Sequence, residues 1–446
     1  MSRALFFKLL ILAGVALVLC ITLLRIGWIV NERQGYQREA VASVAQSQAD
    51  AQTLLGPMLM RHCEERWIVV SGEGKDRKVT EQQRDIDLQS LPAQLEVNGT
   101  LQQEARYRGL FKVNGYAGSL RLAAAWADLQ ALQAPKPEHE GGRIACEEPR
   151  VMLADSDVRG LRSARLTANG GTLTVRPGTT HASYVNGLHA VIAAPAYAGP
   201  LRLQLDLDLS GAQAFSLVPA AASTTLKLSS NWPHPSFFGR FLPSSRTITE
   251  EGFSAQWQVS ELASPALREV MAGKLVPGLG GAGNEPVDRL ELALIDPVNP
   301  YVMSDRAIKY GLLFIVLTFV SVGLVELLAG ARVHPVQYLL VGLAQSLFFL
   351  LLLSLSEHLD FAIAYAIAAG SLVGLLTYYG AAVLRGWRAG ALFGAGIALL
   401  YGTLYVLLTL EQASLLVGSV LLFGGLALVM IVTRKLDWYG LGNRPQ

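Results

Sequence analysis

The sequence has few charged residues for its length. Asp, Glu, Lys and Arg make up 16% of the 446 residues, whereas soluble proteins usually carry about 25%. The deficit lies in the last third, where the windows 338–353 and 361–383 contain no ionised residue. These windows predict segments that lie in a lipid bilayer. The bilayer is therefore the first partner that the composition implies. A net charge of +2 without a Lys/Arg run argues against a nucleic-acid partner, which needs a basic patch.

Motifs for catalysis and metal binding are also missing. The three cysteines have no C-x-x-C spacing, no H-x-x-x-H pair is present, and no G-x-S-x-G frame occurs. We therefore expect no enzymatic activity, no catalytic residue, no metal ligand and no cofactor-binding residue.

Long apolar runs are abundant. One run occupies residues 5–24, and five more follow one another closely towards the C-terminus. Each is about 20 residues long, enough to cross the hydrocarbon core as a helix. We predict a membrane protein with six transmembrane helices (1 + 5) and a large β-rich, sandwich-like periplasmic domain inserted between the first and second spans. The five later spans are predicted at 308–328, 336–356, 361–383, 391–410 and 415–432.

The first run is predicted to be an uncleaved anchor. Its apolar core exceeds the roughly 7–15 residues of a signal peptide, and it ends at Arg25 and Trp28 without a small-x-small site. A cleaved signal peptide is the alternative. The predicted domains are an anchor at 1–30, a mainly-β domain with an N-terminal helical extension at 31–306, a five-helix domain at 307–433 and a cytoplasmic tail at 434–446.

Charges in the C-terminal loops predict the orientation. Short loops rich in Lys and Arg stay in the cytoplasm, and here basic span ends alternate with span ends that have no base. The alternation predicts cytoplasmic termini and places 31–306 in the periplasm, in a protein of a bacterial inner membrane. The basic ends carry Arg332, then Arg385 and Arg388, then Arg434 and Lys435, whereas the loops at 356–360 and around Glu411 carry none.

The inserted segment has the pattern of a β-domain. Residues 201–209 alternate Leu with polar residues, as a strand with one buried face does. Many short strands with hairpin turns indicate an antiparallel sandwich or barrel-like domain. Tight turns are predicted at the Asn-Gly or Ser-Gly pairs 98–99, 114–115, 169–170 and 210–211.

A helix is expected to lead from the anchor into this domain. Residues 31–55 are rich in Gln, Ala and Glu, which favour a helix. Gly56-Pro57 is expected to end it.

Cys63 and Cys146 form the candidate disulfide. Both lie in the segment predicted to be outside the cytoplasm, where a disulfide can persist. The alternative is a metal site that adds His62, Glu64 and Glu147 to the two thiols, although no ligand spacing supports it.

The densest aromatic group lies at 230–243. Its prolines lower the entropy cost of ordering the segment, and aromatic side chains with Arg often anchor interfaces. We predict a surface that binds an envelope partner; the alternative is a rigid segment that closes the end of the β-domain or packs on the membrane. A catalytic His would need a nucleophile and an orienting acid, and no frame supplies them. The candidate surface comprises Trp232, His234, Phe237, Phe238, Arg240 and Phe241.

Glu357, His358 and Asp360 are candidate polar residues at the membrane interface. Charged groups near the membrane core can mark ion or proton routes, which would indicate a transporter or channel. In a loop, however, solvated charge costs little, so interface residues are the simpler interpretation.

Distinctive motifs give the chain a family likeness. They include Ser-Asn-Trp-Pro-His-Pro-Ser-Phe at 230–237 and His-Pro-Val-Gln-Tyr at 334–338. With further motifs in the same order, the chain resembles the CreD family of bacterial inner-membrane proteins. The likeness is strongest from Ser210 onward and in the anchor region, and weak from about 61 to 163. The further motifs lie at 241–243, 252–257, 305–307, 309–310, 339–343, 355–358, 433–434 and 437–439.

The resemblance carries expectations about function. It implies a protein controlled by an envelope or metabolic two-component system and associated with colicin tolerance, envelope integrity and the response to β-lactams. It implies no enzymatic activity. We therefore expect a non-enzymatic factor whose periplasmic domain binds an envelope partner or ligand. The alternatives are a transporter or channel for a small molecule or lipid, and an envelope-modifying hydrolase.

Overall fold

The computed structural model describes most of the chain in two compact units. One unit comprises Met1–Arg38 with Val298–Gln446, and the other comprises Glu39–Pro297. Arg332, Glu411 and the predicted tail from Lys435 onward lie outside the described residues. The described residues are 3–47, 49–71, 78–193, 197–279, 287–296, 299–329, 333–410 and 414–434.

The first unit is helical, as its apolar runs predict. Five of its described helices are long and apolar enough to cross a membrane, and α7 is apolar over Gly418–Ile431. The arrangement of one apolar helix before a β-rich domain and several after it is confirmed. The helices of the chain are α1 Arg3–Ser47, α2 Ala266–Met271, α3 Pro300–Ala329, α4 Pro335–Ser356, α5 Phe361–Val383, α6 Trp387–Thr409 and α7 Ser414–Thr433, of which α2 belongs to the second unit.

Glycines set the closest helix contacts in this unit. A Cβ on Gly342 of α4 would lie 2.1 Å from Leu19 of α1, and one on Gly394 of α6 would lie 1.9 Å from Thr377 of α5. Small residues permit such approach in lipid, where association depends on packing. The anchor α1 therefore packs on the bundle.

The second unit is a β-sandwich, and its described residues include two short 3₁₀ turns, Gln130–Leu132 and Val158–Gly160. Its strands are β1 Gln52–Ser71, β2 Lys78–Ser90, β3 Gln94–Arg108, β4 Phe111–Trp126, β5 Arg143–Cys146, β6 Arg150–Asp155, β7 Leu161–Ala168, β8 Gly171–Leu173, β9 Arg176–Pro177, β10 Gly187–Val191, β11 Leu201–Ala212, β12 Ala214–Leu217, β13 Ser223–Ser230, β14 Pro235–Phe238, β15 Ser245–Thr249, β16 Gly252–Ser260 and β17 Leu290–Leu294.

Two sheets enclose one core. In the described residues, one sheet has the order β14-β17-β12-β1-β6-β10-β9, with β2 and β5 also paired to β1. The other has the order β15-β16-β13-β3-β4-β11-β7-β8. Leu203, Leu205 and Leu207 of β11 are buried and face the first sheet's Leu54 and Leu153 within one hydrophobic cluster, as the alternation in 201–209 predicts.

The expected end of the helical extension is wrong. Helix α1 ends at Ser47, and Gly56-Pro57 lies inside strand β1 at a shift in its register with β6. Leu54 and Leu55 are both fully buried, because the strand has a core on each face. Pro is tolerated there because a bulge needs no ladder hydrogen bond from it.

Three of the four predicted turns are also wrong. Asn169-Gly170 does connect β7 to β8, with positive φ at both residues. The pairs at 98–99, 114–115 and 210–211 lie within β3, β4 and β11. Gly99 serves packing instead, because a Cβ there would lie 2.3 Å from Leu120 and 2.7 Å from Leu228.

Asp155, at the end of β6, gives the β-domain a pH dependence. Its side chain is fully buried, and burial raises the pKa of its carboxyl group from 3.8 to about 7. Because the pKa of Asp155 is higher in the folded than in the unfolded chain, its contribution to the free energy of unfolding is greatest below pH ~4. This contribution is lost as the pH rises through about 7, and the loss is about 4 kcal/mol at most.

We expect Asp155→Asn to remove this pH dependence. Relative to the wild type, the melting temperature of the variant should rise between pH 5 and pH 8.5, because the amide cannot ionise. Thermal unfolding of the purified full chain checks this, with the exposed Asp208→Asn as control. A constant difference between wild type and Asp155→Asn across that range would contradict it.

Candidate functional site

The predicted interaction segment closes one edge of the sandwich. Trp232 is only 6% exposed and belongs to the core, so its assignment to an exposed surface is wrong. The indole Nε1 donates a hydrogen bond to the carbonyl oxygen of His234 at 2.8 Å. The Phe237 ring meets Phe253 and Trp257 edge-on at 5.6 and 5.5 Å. These rings fill the space between β14 and β16. This packing agrees with the alternative prediction, a rigid segment that closes the end of the β-domain.

Only part of the segment remains exposed. Phe238 is 39% exposed, and the exposed His234 ring meets Trp232 edge-on. Arg240 pairs with the buried Asp288 at 3.2 Å, although most of its side chain is in solvent. Phe241 is half-buried, and its carbonyl oxygen accepts a hydrogen bond from Trp257. The segment is therefore mainly structural, because most of its aromatic area is inside.

The three polar residues after α4 do not converge on a site. Glu357 is nearly buried, and its carboxylate accepts a hydrogen bond from the Tyr301 hydroxyl at 3.2 Å. Its other neighbour is Arg33 of α1 at 3.5 Å. His358 and Asp360 are exposed. Glu357 thus joins α1 and α3 to the end of α4 rather than lining a route.

Cys63 and Cys146 form a disulfide with an S–S distance of 2.01 Å. The two residues face each other in the register of β1 with β5. The metal alternative thereby loses both thiolates. Its other residues pair with protein groups: Glu64 with Arg66, His62 with Asp87 and Glu147 with Arg150.

Glu65 fixes the loop before β5, a contact that sequence reasoning missed. Its buried carboxylate accepts hydrogen bonds from the backbone N–H groups of Glu138 and His139 at 2.8 and 3.0 Å, and from Arg84 at 2.9 Å. The hydrogen bond from the His139 backbone holds the pKa of Glu65 below its ordinary value. Glu65 and Glu138 are 73 residues apart in sequence, so no local pattern reveals this contact.

A cleft of about 650 Å³ lies beside the disulfide. His62 Nδ1 lies 2.8 Å from Asp87, and that hydrogen bond raises the pKa of the imidazole. His62 Nε2 faces another carboxylate, that of Asp85, at 3.7 Å. His181, also in the cleft, accepts backbone N–H groups through Nδ1. The pair has the spacing of a catalytic dyad, but its outer nitrogen faces an acid rather than a nucleophile.

The outer face of the eight-stranded sheet contains two open cavities. Two adjoining cavities of about 710 and 940 Å³ follow β3, β4, β11 and β13 along the strands. Strand β4 supplies the small outward residues Ser119, Ala123 and Ala125 together with Arg121, while neighbouring strands supply longer polar ones. We call this feature the polar trough. Its lining includes Glu96, Asn98, Thr100, Arg121, Arg202, Gln204, Asp206, Thr225, Lys227 and Ser229.

The polar trough was not predicted from the sequence. The signal was available, since four of the five outward residues of β4 at 117–125 are Ala or Ser, the exception being Arg121. Recognising the trough requires knowledge of which strands are neighbours in the sheet, because depth arises only where small residues lie between longer ones.

An inserted β-sandwich between apolar helices defines a multi-pass membrane protein with one large domain outside the lipid. The family model described as "Inner membrane protein CreD" matches residues 4–439. The Inner membrane protein CreD of Escherichia coli (strain K12) is 35% identical over 445 residues, which cover 98% of this chain and 95% of that protein. The chain therefore belongs to the CreD family of inner membrane proteins, and the resemblance is confirmed.

Among solved structures, the likenesses are weak. An M1 zinc metallopeptidase from Deinococcus radiodurans is 11% identical and covers 37% of this chain and 38% of its own, with a TM-score of 0.22. A second structure of an M1 zinc metallopeptidase from that organism covers 45% and 42%, at 11% identity, with a TM-score of 0.23. Likeness at this level supports neither a fold assignment nor an activity.

We expect Trp232→Ala to destabilise the β-domain by about 3–5 kcal/mol, because it empties a core position. Phe238→Ala, on the exposed end of the same segment, should change the free energy of unfolding by about 0.5 kcal/mol or less. Denaturant unfolding of the two variants checks the contrast. Equal losses, or a stable Trp232→Ala variant, would show that the indole is not part of the core.

Proposed function

We propose that the chain is a non-enzymatic inner-membrane factor for cell-envelope integrity, whose β-domain lies in the periplasm and binds an envelope component. The resemblance to the CreD family supports the envelope role. The apolar helices anchor the chain in the membrane in this proposal. The polar trough is the binding site in this proposal, because its two adjoining cavities of about 710 and 940 Å³ form an extended concave surface lined by polar side chains.

The disulfide is the observation that carries the location. Disulfides persist in oxidising compartments such as the periplasm and are rare in the reducing cytosol. Cys63 and Cys146 are bonded between adjacent strands, 83 residues apart in sequence. A domain that contains this bond is therefore best placed outside the cytoplasm.

Charges at the ends of α5 support the same orientation. The turn before α5 contains Glu357 and Asp360 and no Lys or Arg, whereas Arg385 and Arg388 follow its C-terminus. By the positive-inside rule, the end with arginines is cytoplasmic. The turn before α5 then lies on the periplasmic side.

Binding rather than catalysis is supported by the surroundings of His62. A hydrolase needs a nucleophile at the outer imidazole nitrogen. In the described cleft that nitrogen faces Asp85, and the positive imidazole is stabilised by Asp87. The arrangement favours a structural ion pair.

The bundle does not favour transport. Its described core is an apolar cluster of Leu, Phe, Ile, Val, Met and Ala side chains together with Tyr365 and Tyr401. Gln345 donates a hydrogen bond to Thr318 at 2.5 Å inside it. A cavity in the described bundle has a volume of only about 30 Å³. Its lining is largely apolar and includes Val322 and Phe393. A transporter would instead need a polar cavity near its midplane.

Filling the polar trough tests the proposal. Ala123 is an exposed floor residue, so Ala123→Trp should fill the trough without entering the core. Leu262→Trp adds the same side chain at a position that is 95% exposed and does not line the trough. In cells lacking the protein, we expect Leu262→Trp to restore resistance to detergent and Ala123→Trp to fail at equal protein level.

Two outcomes would contradict the proposal. Full restoration by Ala123→Trp would show that the trough is dispensable. No difference in detergent resistance between cells with and without the wild-type protein would remove the envelope role.

A further inference from the structure

We infer that the polar trough binds a mainly neutral polymer rich in hydroxyl and amide groups, namely a glycan strand. This inference names the ligand class of the site in the proposed function and rests on that proposal for the location of the trough.

The charge of the trough argues against a polyanion. Arg121 pairs with Asp206 at 2.8 Å, and Lys227 pairs with Glu96 at 3.3 Å. The described lining has two further charged side chains. Arg246 lies over the Phe237 ring at 5.9 Å, and Arg202 lies at the end away from that ring. Two of the four bases are thus paired with acids, and the other two lie one in each cavity, whereas nucleic acid or another polyanion would require a continuous row of bases.

The chemistry of the lining argues against lipid. The side chains that point outward into the trough are Ser, Thr, Asn, Gln, Ala and charged residues, whereas the leucines of the same strands, such as Leu120 and Leu228, belong to the buried face. Lipid or an apolar helix would need exposed apolar area, which this face does not offer. Hydroxyls and amides can both donate and accept hydrogen bonds, as the groups of a sugar do.

The backbone of the sheet argues against an extended peptide. Peptides commonly bind sheets by adding a strand to a free edge, where unpaired N–H and C=O groups are available. The trough lies on the face of the sheet, and β4 is paired along its length with β3 and β11. Its backbone groups are therefore already used in the sheet, and recognition falls to the side chains.

The dimensions fit a polymer rather than a single small molecule. The lining of β3 runs from Gln94 to Thr100, a length of about 20 Å at the rise of a strand. The two cavities together lie above the 300–1,000 Å³ typical of a pocket for one small ligand. No aromatic side chain lines the described trough, so each unit is held by hydrogen bonds alone and the affinity must grow with the number of units.

Direct binding to defined oligosaccharides tests the inference. The purified full chain in detergent is mixed with the hexamer of N-acetylglucosamine, and saturation-transfer NMR reports contact. The dimer of the same sugar tests length dependence. The de-N-acetylated hexamer, which is cationic, and hexagalacturonate, which is anionic, test charge. We expect a strong signal from the neutral hexamer, a weaker one from the dimer, and little from either charged hexamer.

Variants assign any signal to the trough. Ala123→Trp should abolish the hexamer signal, whereas Leu262→Trp should preserve it. Gln204→Ala and Thr225→Ala, which remove hydrogen-bonding groups from the lining, should weaken it together. Unfolding curves that match the wild type exclude a folding defect.

The outcomes separate this inference from the proposed function. No binding of the neutral hexamer, equal binding of the charged hexamers, or an unchanged signal in Ala123→Trp would each overturn the glycan assignment. If the glycan assignment fails while Ala123→Trp still fails to restore detergent resistance, the trough acts on another envelope component and the proposed function stands.

Discussion

Backbone hydrogen bonding is the constraint on which this structure depends. Hydrocarbon offers no partner for an open N–H or C=O group, so only helices and closed barrels cross a membrane. The chain meets this requirement by dividing its backbone into two kinds of structure. The apolar runs form helices, whose hydrogen bonds are internal, and the strands of two open sheets lie in a separate unit.

Within the β-domain, much of the backbone hydrogen bonding of one sheet depends on strand β1. It pairs with β12 in parallel and with β2, β5 and β6 in antiparallel, so four strands depend on it. Its first half is buried on both faces, and the disulfide at Cys63 fixes the position where its second half leaves the core. The trough lies on the outer face of the other sheet, where polar side chains reach solvent.

Much of the architecture was predictable because it depends on composition and short periods. Twenty apolar residues mean a span wherever they occur, and the leucines at 201–209 require one buried face. The structural roles of Gly56-Pro57 and Gly99 were not predictable. A glycine that turns the chain and a glycine that makes room for a neighbouring side chain look alike in sequence. Trp232 was misassigned for a related reason: an aromatic cluster has the same composition in a core as on an interface, and only its neighbours distinguish the two.

The account depends most on the proposed location of the β-domain. Leu262→Cys places a thiol at a 95% exposed position of that domain, and Arg388→Cys places one in the first turn of α6, at the end proposed to be cytoplasmic. Both are made with Cys20→Ser, which removes the one free thiol described. With a membrane-impermeant maleimide on spheroplasts, we predict that Leu262→Cys is labelled at once and Arg388→Cys only after permeabilisation. The opposite pattern would place the disulfide and the trough in the cytoplasm and contradict the account.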